Sequence, residues 1–125
     1  MYGSVAADHL KQPRNLGRIG QPDGVGHADE PATDTFVTVY LRLSEAGIEP
    51  RTVHEARFRA FGCGGCIIAG SVLTVLMLGQ PLVEAASLYA AAIHAALEDG
   101  LPEEQRYCVD LAVRALKLAL QNAGV

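Results

Sequence analysis

Two stretches of the chain alternate between apolar and polar side chains. In Thr35 to Leu43 (TFVTVYLRL), Val37, Val39, Leu41 and Leu43 fall on one side and Thr38, Tyr40 and Arg42 on the other. In Val53 to Phe61 (VHEARFRAF), Ala56, Phe58 and Ala60 oppose Glu55, Arg57 and Arg59. A period of two marks a strand with one buried face. The segment between them, SEAGIEPRT, is turn chemistry, so the two strands should pair antiparallel. Such a pair is unstable alone and calls for further strands or a helical layer.

Elsewhere the pattern turns helical. Ser4 to Lys11 reads as a short helix ended by Pro13. Cys66 to Leu78 is apolar nearly all round, which predicts a helix buried on more than one side. Leu82 to Glu98 is alanine-rich and should break into two short helices. Pro102, Glu103 and Glu104 make a favourable first turn for a last helix that runs to Asn122, with Gly124 as its stop. In that helix Asp110, Arg114, Lys117 and Gln121 form one polar stripe, and Cys108, Ala112, Ala115 and Ala119 lie opposite. Gln12 to Thr35 holds Pro13, Gly17, Gly20, Pro22, Gly24, Gly26 and Pro31, and reads as one long loop. The expected architecture is α+β, a small antiparallel sheet covered on one face by helices, within a single domain spanning residues 1–125.

Composition narrows the function. The chain has 125 residues, 50% of them apolar and 19% charged, which excludes a disordered protein. Its net charge is −4, and the positive residues are scattered apart from Arg57 and Arg59, which argues against nucleic acid as a partner. Ala60 to Val83 carries no charge, but glycines at one end and Gly79 with Pro81 at the other leave too short a helix to span a membrane. Three cysteines cannot all pair within one chain, and MYGSVAADHL does not resemble a secretory leader. A reducing, cytoplasmic setting is expected.

The candidate chemistry lies in FGCGGC, Phe61 to Cys66. Cys63 and Cys66 form a lone C-x-x-C, compatible with part of a metal site, a redox pair or a sharp strand-to-helix turn. Cys63 stands just ahead of a helix, where unpaired N–H groups favour an anion; Cys66, one turn in, suits a ligand or a small core residue. Cys108 opens the last helix on its packing face, either as a core residue or as a third thiolate aimed at the same point. His9, His27, His54 and His94 lack ligand spacing, and His27 stands out only for its place in the glycine-rich loop. Asp34, just before the first strand, is a cap, a turn former or an oxygen ligand. No nucleophile elbow, P-loop or dinucleotide fingerprint is present, which leaves an enzyme without support.

Several segments, in order and spacing, resemble the IscU and NifU N-terminal-domain family of iron–sulfur cluster assembly scaffolds. They are DHLKQPRNLG (Asp8 to Gly17), FRAFGCG (Phe58 to Gly64), and Leu101 and Pro102 ahead of Cys108. The resemblance implies a small antiparallel sheet covered by helices and a platform for a [2Fe–2S] cluster. It also implies a cysteine desulfurase as sulfur donor and acceptor proteins for the finished cluster. Cys63 and Cys108 match the family's second and third ligand cysteines.

The chain departs from the pattern at the remaining positions. Thr33 replaces the first cysteine, Thr35 the nearby aspartate and Tyr107 the histidine beside the third cysteine, while Pro102-Glu103-Glu104 interrupts the usual chaperone-recognition segment. A [2Fe–2S] cluster takes four terminal ligands. The expected set is therefore Cys63, Cys108 and an added Cys66, with Asp34, His27 or a second chain completing it. Mononuclear zinc on the same thiolates, or a module that kept the fold only for interactions, are the alternatives. Finally, Leu73, Val75, Leu76, Met77 and Leu78 surround the apolar helix; one small domain is not expected to cover them all, which predicts a homo-oligomer or an obligate partner.

Overall fold

The computed structural model describes residues 2–125. In chain order it forms α1 (Ser4–Lys11), β1 (Gly24–Glu30), β2 (Thr35–Leu43), β3 (Val53–Phe61), α2 (Gly64–Met77), α3 (Leu82–Ala86), α4 (Ala90–Ala96), a 3₁₀ turn (Glu103–Gln105) and α5 (Tyr107–Asn122). The strands make one antiparallel sheet in the order β1-β2-β3. Val37 lies between Ala28 and Ala60, and Val39 between Gly26 and Phe58. One face therefore gathers Ala28, Val37, Val39, Leu41, Ala56 and Phe58, all buried, beneath α2 and α5. Both alternating stretches are strands over the residues expected, and the helical layer covers one face as the α+β reading required.

The long loop expected from Gln12 to Thr35 is not one loop, because it contains β1. The inward positions of that strand are Gly24, Gly26 and Ala28. Helix α5 crosses so closely that a Cβ on Gly24 would meet the Ala119 carbonyl, and one on Gly26 the Ala115 carbonyl. Small residues here serve helix-on-strand contact rather than loop flexibility. His27 accordingly sits in a strand, on the outer face, with Nδ1 2.8 Å from Thr38 Oγ1.

Helix α2 is the central apolar element. Ile68, Leu73 and Met77 are buried, each adding about 1.5–3 kcal/mol relative to exposure, and Gly70 lets the helix lie directly on the Phe58 ring. One chain covers more of α2 than its all-round apolar pattern suggests. Only its far end stays open, with Val75 49% and Leu78 47% exposed. Gly79, at φ 80°, and Pro81 end the run. No helix among the described residues is long and apolar enough to cross a membrane.

The segment after α1 is fastened to both layers. Ser71 Oγ of α2 accepts from the Arg14 N–H at 2.9 Å and lies 2.7 Å from His9 Nδ1. Asn15 Nδ2 donates to Thr74 Oγ1 at 3.1 Å. The Asn15 carbonyl accepts from the Phe58 N–H, and the Gly17 N–H donates to the Phe58 carbonyl, so this strip extends the open edge of β3.

Candidate metal centre

Strand β3 runs out at Phe61, and the chain turns through Gly62 at φ 116°. Gly62 passes so close to Thr35 that no Cβ fits there. Cys63 follows in extended geometry as the N-cap residue of α2. Its carbonyl accepts from the Cys66 N–H at 3.2 Å, which closes the first turn and brings both side chains to one side. Cys108 is the second residue of α5. A Cβ on Gly65 would stand 3.2 Å from Cys108 Sγ and 2.7 Å from Gln105 Oε1, so glycine there lets the start of α5 come close.

Three free thiols thus meet between the N-termini of two helices. Cys63 Sγ is 3.1 Å from Cys108 Sγ and 3.9 Å from Cys66 Sγ, and all three sulfurs lie within 4.8 Å of one another. Cys66 and Cys108 are fully buried, whereas Cys63 is half-buried. The positive ends of both helix dipoles point at the group, favouring thiolates and an anionic cluster. Against this, a hydrogen bond with Cys66 and burial push the Cys108 thiol far above the ordinary thiol range, and its bond to Cys63 only partly offsets them. A bound cation reverses that balance by displacing thiol protons.

The three positions that depart from the family pattern lie together beside these sulfurs. Thr33 Oγ1 is 2.6 Å from Thr35 Oγ1, Thr35 donates a long 3.4 Å bond to Tyr107 Oη, and Tyr107 Oη is 4.0 Å from Cys63 Sγ. Hydrogen bonds from Thr33 and Thr35 favour the Tyr107 phenolate, but burial and the neighbouring Cys108 and Cys63 outweigh them and raise its pKa. Tyr107 also lines an open cleft of about 220 Å³ with Glu30, Asp110, Leu111 and Arg114.

Of the expected site residues, the structure brings Cys63, Cys66 and Cys108 together. It does not bring His27, which lies in β1 and is engaged with Thr38 of β2. Asp34 is in the exposed turn between β1 and β2, at φ 54°, and its carboxylate is not part of the thiol group. Two neighbours were not legible in the sequence: Tyr2 Oη donates to Gln105 Oε1 at 2.7 Å, closing the space over Gly64 and Gly65. Their sequence separation of 103 leaves no local signal.

Thiolate sulfur is the donor that iron–sulfur and zinc sites select, so this group fits either. Comparison with known proteins gives the group its family. Residues 1–123 match the NifU-like N terminal domain. The chain is 33% identical over 120 residues to the iron–sulfur cluster assembly scaffold protein IscU 1 of Archaeoglobus fulgidus, covering 96% of this chain and 74% of that one. It is 32% identical over 124 residues to the scaffold protein IscU of Azotobacter vinelandii, covering 97% and 92%. In fold it matches the crystal structure of the N-terminal part of a NifU-like protein from Brucella abortus, with a TM-score of 0.73 at 16% identity over 98% of this chain and 93% of that one. With the match running nearly end to end, this chain belongs to the NifU-like N-terminal domain family.

Proposed function

We propose that the protein is a divergent iron–sulfur cluster scaffold or carrier, in which Cys63, Cys66 and Cys108 hold iron or a [2Fe–2S] cluster as cargo. The observation that carries this reading is the meeting of three thiols from two helix starts within 4.8 Å. Thr33 has taken the place of the loop cysteine, and Cys66, aimed at the same point, restores the thiolate count to three. Threonine is a poor ligand for iron beside thiolate, which makes Cys66 the better substitute. Such a protein holds and hands over its cargo rather than turning over a substrate. A cysteine desulfurase supplies the sulfur, acceptor proteins take the cluster, and the setting is the cytoplasm. Val75 and Leu78 remain open for a second copy or a partner, which light scattering tests.

The same triangle of sulfurs accepts a single zinc ion. Anaerobic purification followed by quantification of iron, zinc and acid-labile sulfide separates the readings. Near-equal iron and sulfide, lost in Cys63→Ser, Cys66→Ser and Cys108→Ser, is the expected result. Zinc alone would replace the cluster reading with the mononuclear one. Neither metal nor sulfide after reconstitution of folded protein would leave a scaffold fold kept for interactions.

A further inference from the structure

Helix α1 is fastened at its two ends by different means. Its far end is pinned to Ser71 and Thr74 of α2, through His9 and, just beyond the helix, Arg14 and Asn15. Its near end has neither a side-chain cap nor an acidic residue in the first turn, and Ala6 is its one fully buried residue. A helix of eight residues so equipped is marginal without tertiary contacts. The polar contact at the near end comes from Tyr2, whose hydroxyl donates to Gln105 Oε1 at 2.7 Å.

That bond lies over the first turn of α2. Ala6 and Leu10, four residues apart, share one face of α1, and Tyr2 continues the row ahead of the helix; all three pack on the core. A Cβ on Gly64 would stand 2.8 Å from Tyr2 Oη and 3.4 Å from Leu10 Cδ1. On Gly65 it would stand 2.7 Å from Gln105 Oε1 and 3.2 Å from Cys108 Sγ. Both halves of the bond therefore rest on the two glycines between Cys63 and Cys66, against the flank of the buried sulfurs.

We propose that α1 is a strap that closes over the two inner thiols, pivoting at Ser71 and caught at its near end by the Tyr2–Gln105 bond. With the catch made, Cys66 and Cys108 are fully buried and Cys63 is the accessible member of the group. With it released, α1 lifts from the Gly64-Gly65 turn and uncovers the flank of Cys66 and Cys108. The closure belongs to the apo-protein. Only its consequence for cargo, faster loading of the inner sulfurs when the strap is open, rests on the scaffold reading above.

The test is alkylation of the reduced apo-protein by N-ethylmaleimide, with the initial rate at each cysteine followed by mass spectrometry and amide hydrogen exchange measured on the same samples. In wild type, Cys63 should react first, and the amides of α1 should exchange well before those of β2 and β3. Exchange in α1 no faster than in the sheet would overturn the strap without recourse to a variant. Tyr2→Phe keeps the ring and loses the donor, and Gln105→Leu loses the acceptor. Each should speed Cys66 and Cys108 by about two- to tenfold, the range expected for one hydrogen bond. The double variant should be no faster than either, because both changes remove the same bond. Gly64→Ala leaves both partners in place and should also speed the inner cysteines, by setting a Cβ against Tyr2 Oη. Unchanged inner rates in Tyr2→Phe and Gln105→Leu would overturn the catch. Exchange that quickens in β2 and β3 as much as in α1 would mean a general loosening and would overturn the strap. Iron uptake by the same proteins separates the two readings: a strap that opens as expected on a chain that takes up no iron overturns the scaffold alone, and iron bound at unchanged inner rates overturns the strap alone.

Discussion

The strip from Asp8 to Gly17 and the corner around Cys63 both carry the resemblance to the scaffold family, yet the chain treats them differently. In the strip, the family's Asp8, His9, Pro13, Arg14, Asn15 and Gly17 all stand. At the corner, Thr33, Thr35 and Tyr107 stand in for a cysteine, an aspartate and a histidine. The strip's contacts explain its side of the contrast. Ser71, fully buried, accepts from the Arg14 backbone N–H and is bonded to His9 Nδ1, and Asn15 holds both Thr74 and the edge of β3. A change at His9 or Asn15 takes a side-chain partner from a buried hydroxyl of α2 and weakens the fold. The Cys63 corner opens to solvent, and substitutions in it alter ligand chemistry while the turn and both helix starts persist. The motif that identifies the family is therefore largely structural, and the site is where this chain departs.

The sharpest test of that contrast is Cys63→Ser. Bound iron should fall to background in metal analysis, while the thermal melt of the apo-protein stays where it was. A melt that collapses with the metal would mean the corner is structural too. Next in size is Ser71→Ala, which should lower stability to urea by about 1–3 kcal/mol by orphaning the Arg14 N–H and His9. Iron per folded chain should not change.

A smaller effect follows from pH. Burial, then the nearby Arg14, hold the His9 pKa below its ordinary value of 6.5. The Arg14 N–H already donates to Ser71 Oγ, leaving the serine hydroxyl free to donate to a neutral His9 Nδ1. As pH falls below 6.5 the unfolded chain takes up this proton first, so His9's contribution is complete above that value and is lost below it. Urea midpoints measured across this range should slope less in His9→Gln than in wild type. The smallest effect belongs to Asp8→Asn, which breaks an exposed pair with Arg14 of 2.6 Å and should leave the melting temperature unchanged.

The elements that could be read from the sequence are those whose packing needs large side chains. Strands β2 and β3 alternate because their inward residues fill the space under α2 and α5, and each was legible to the residue. Strand β1 was not. Its inward face must admit the α5 backbone, so glycine replaces the apolar residues that would have revealed it. A valine at Gly26 would make the strand readable and drive a Cβ into the Ala115 carbonyl. The same logic applies to the thiols. The placement of Cys63 ahead of a helix could be read from the glycines around it. Its meeting with Cys108 depends on the close approach of α2 and α5 at Gly65, which no local pattern records.

The unequal burial of the three sulfurs gives the proposed cargo a direction of travel. Cys66 and Cys108 are closed off within the protein, and only Cys63 meets solvent. On the scaffold reading proposed above, an acceptor's thiolate approaching from outside would exchange first with Cys63, while two inner anchors would still hold the iron. Departure then runs in sequence, with the outer tether released before the inner pair. On the same reading, a donor arriving with sulfur would come through the same doorway, so loading and unloading would compete for one residue.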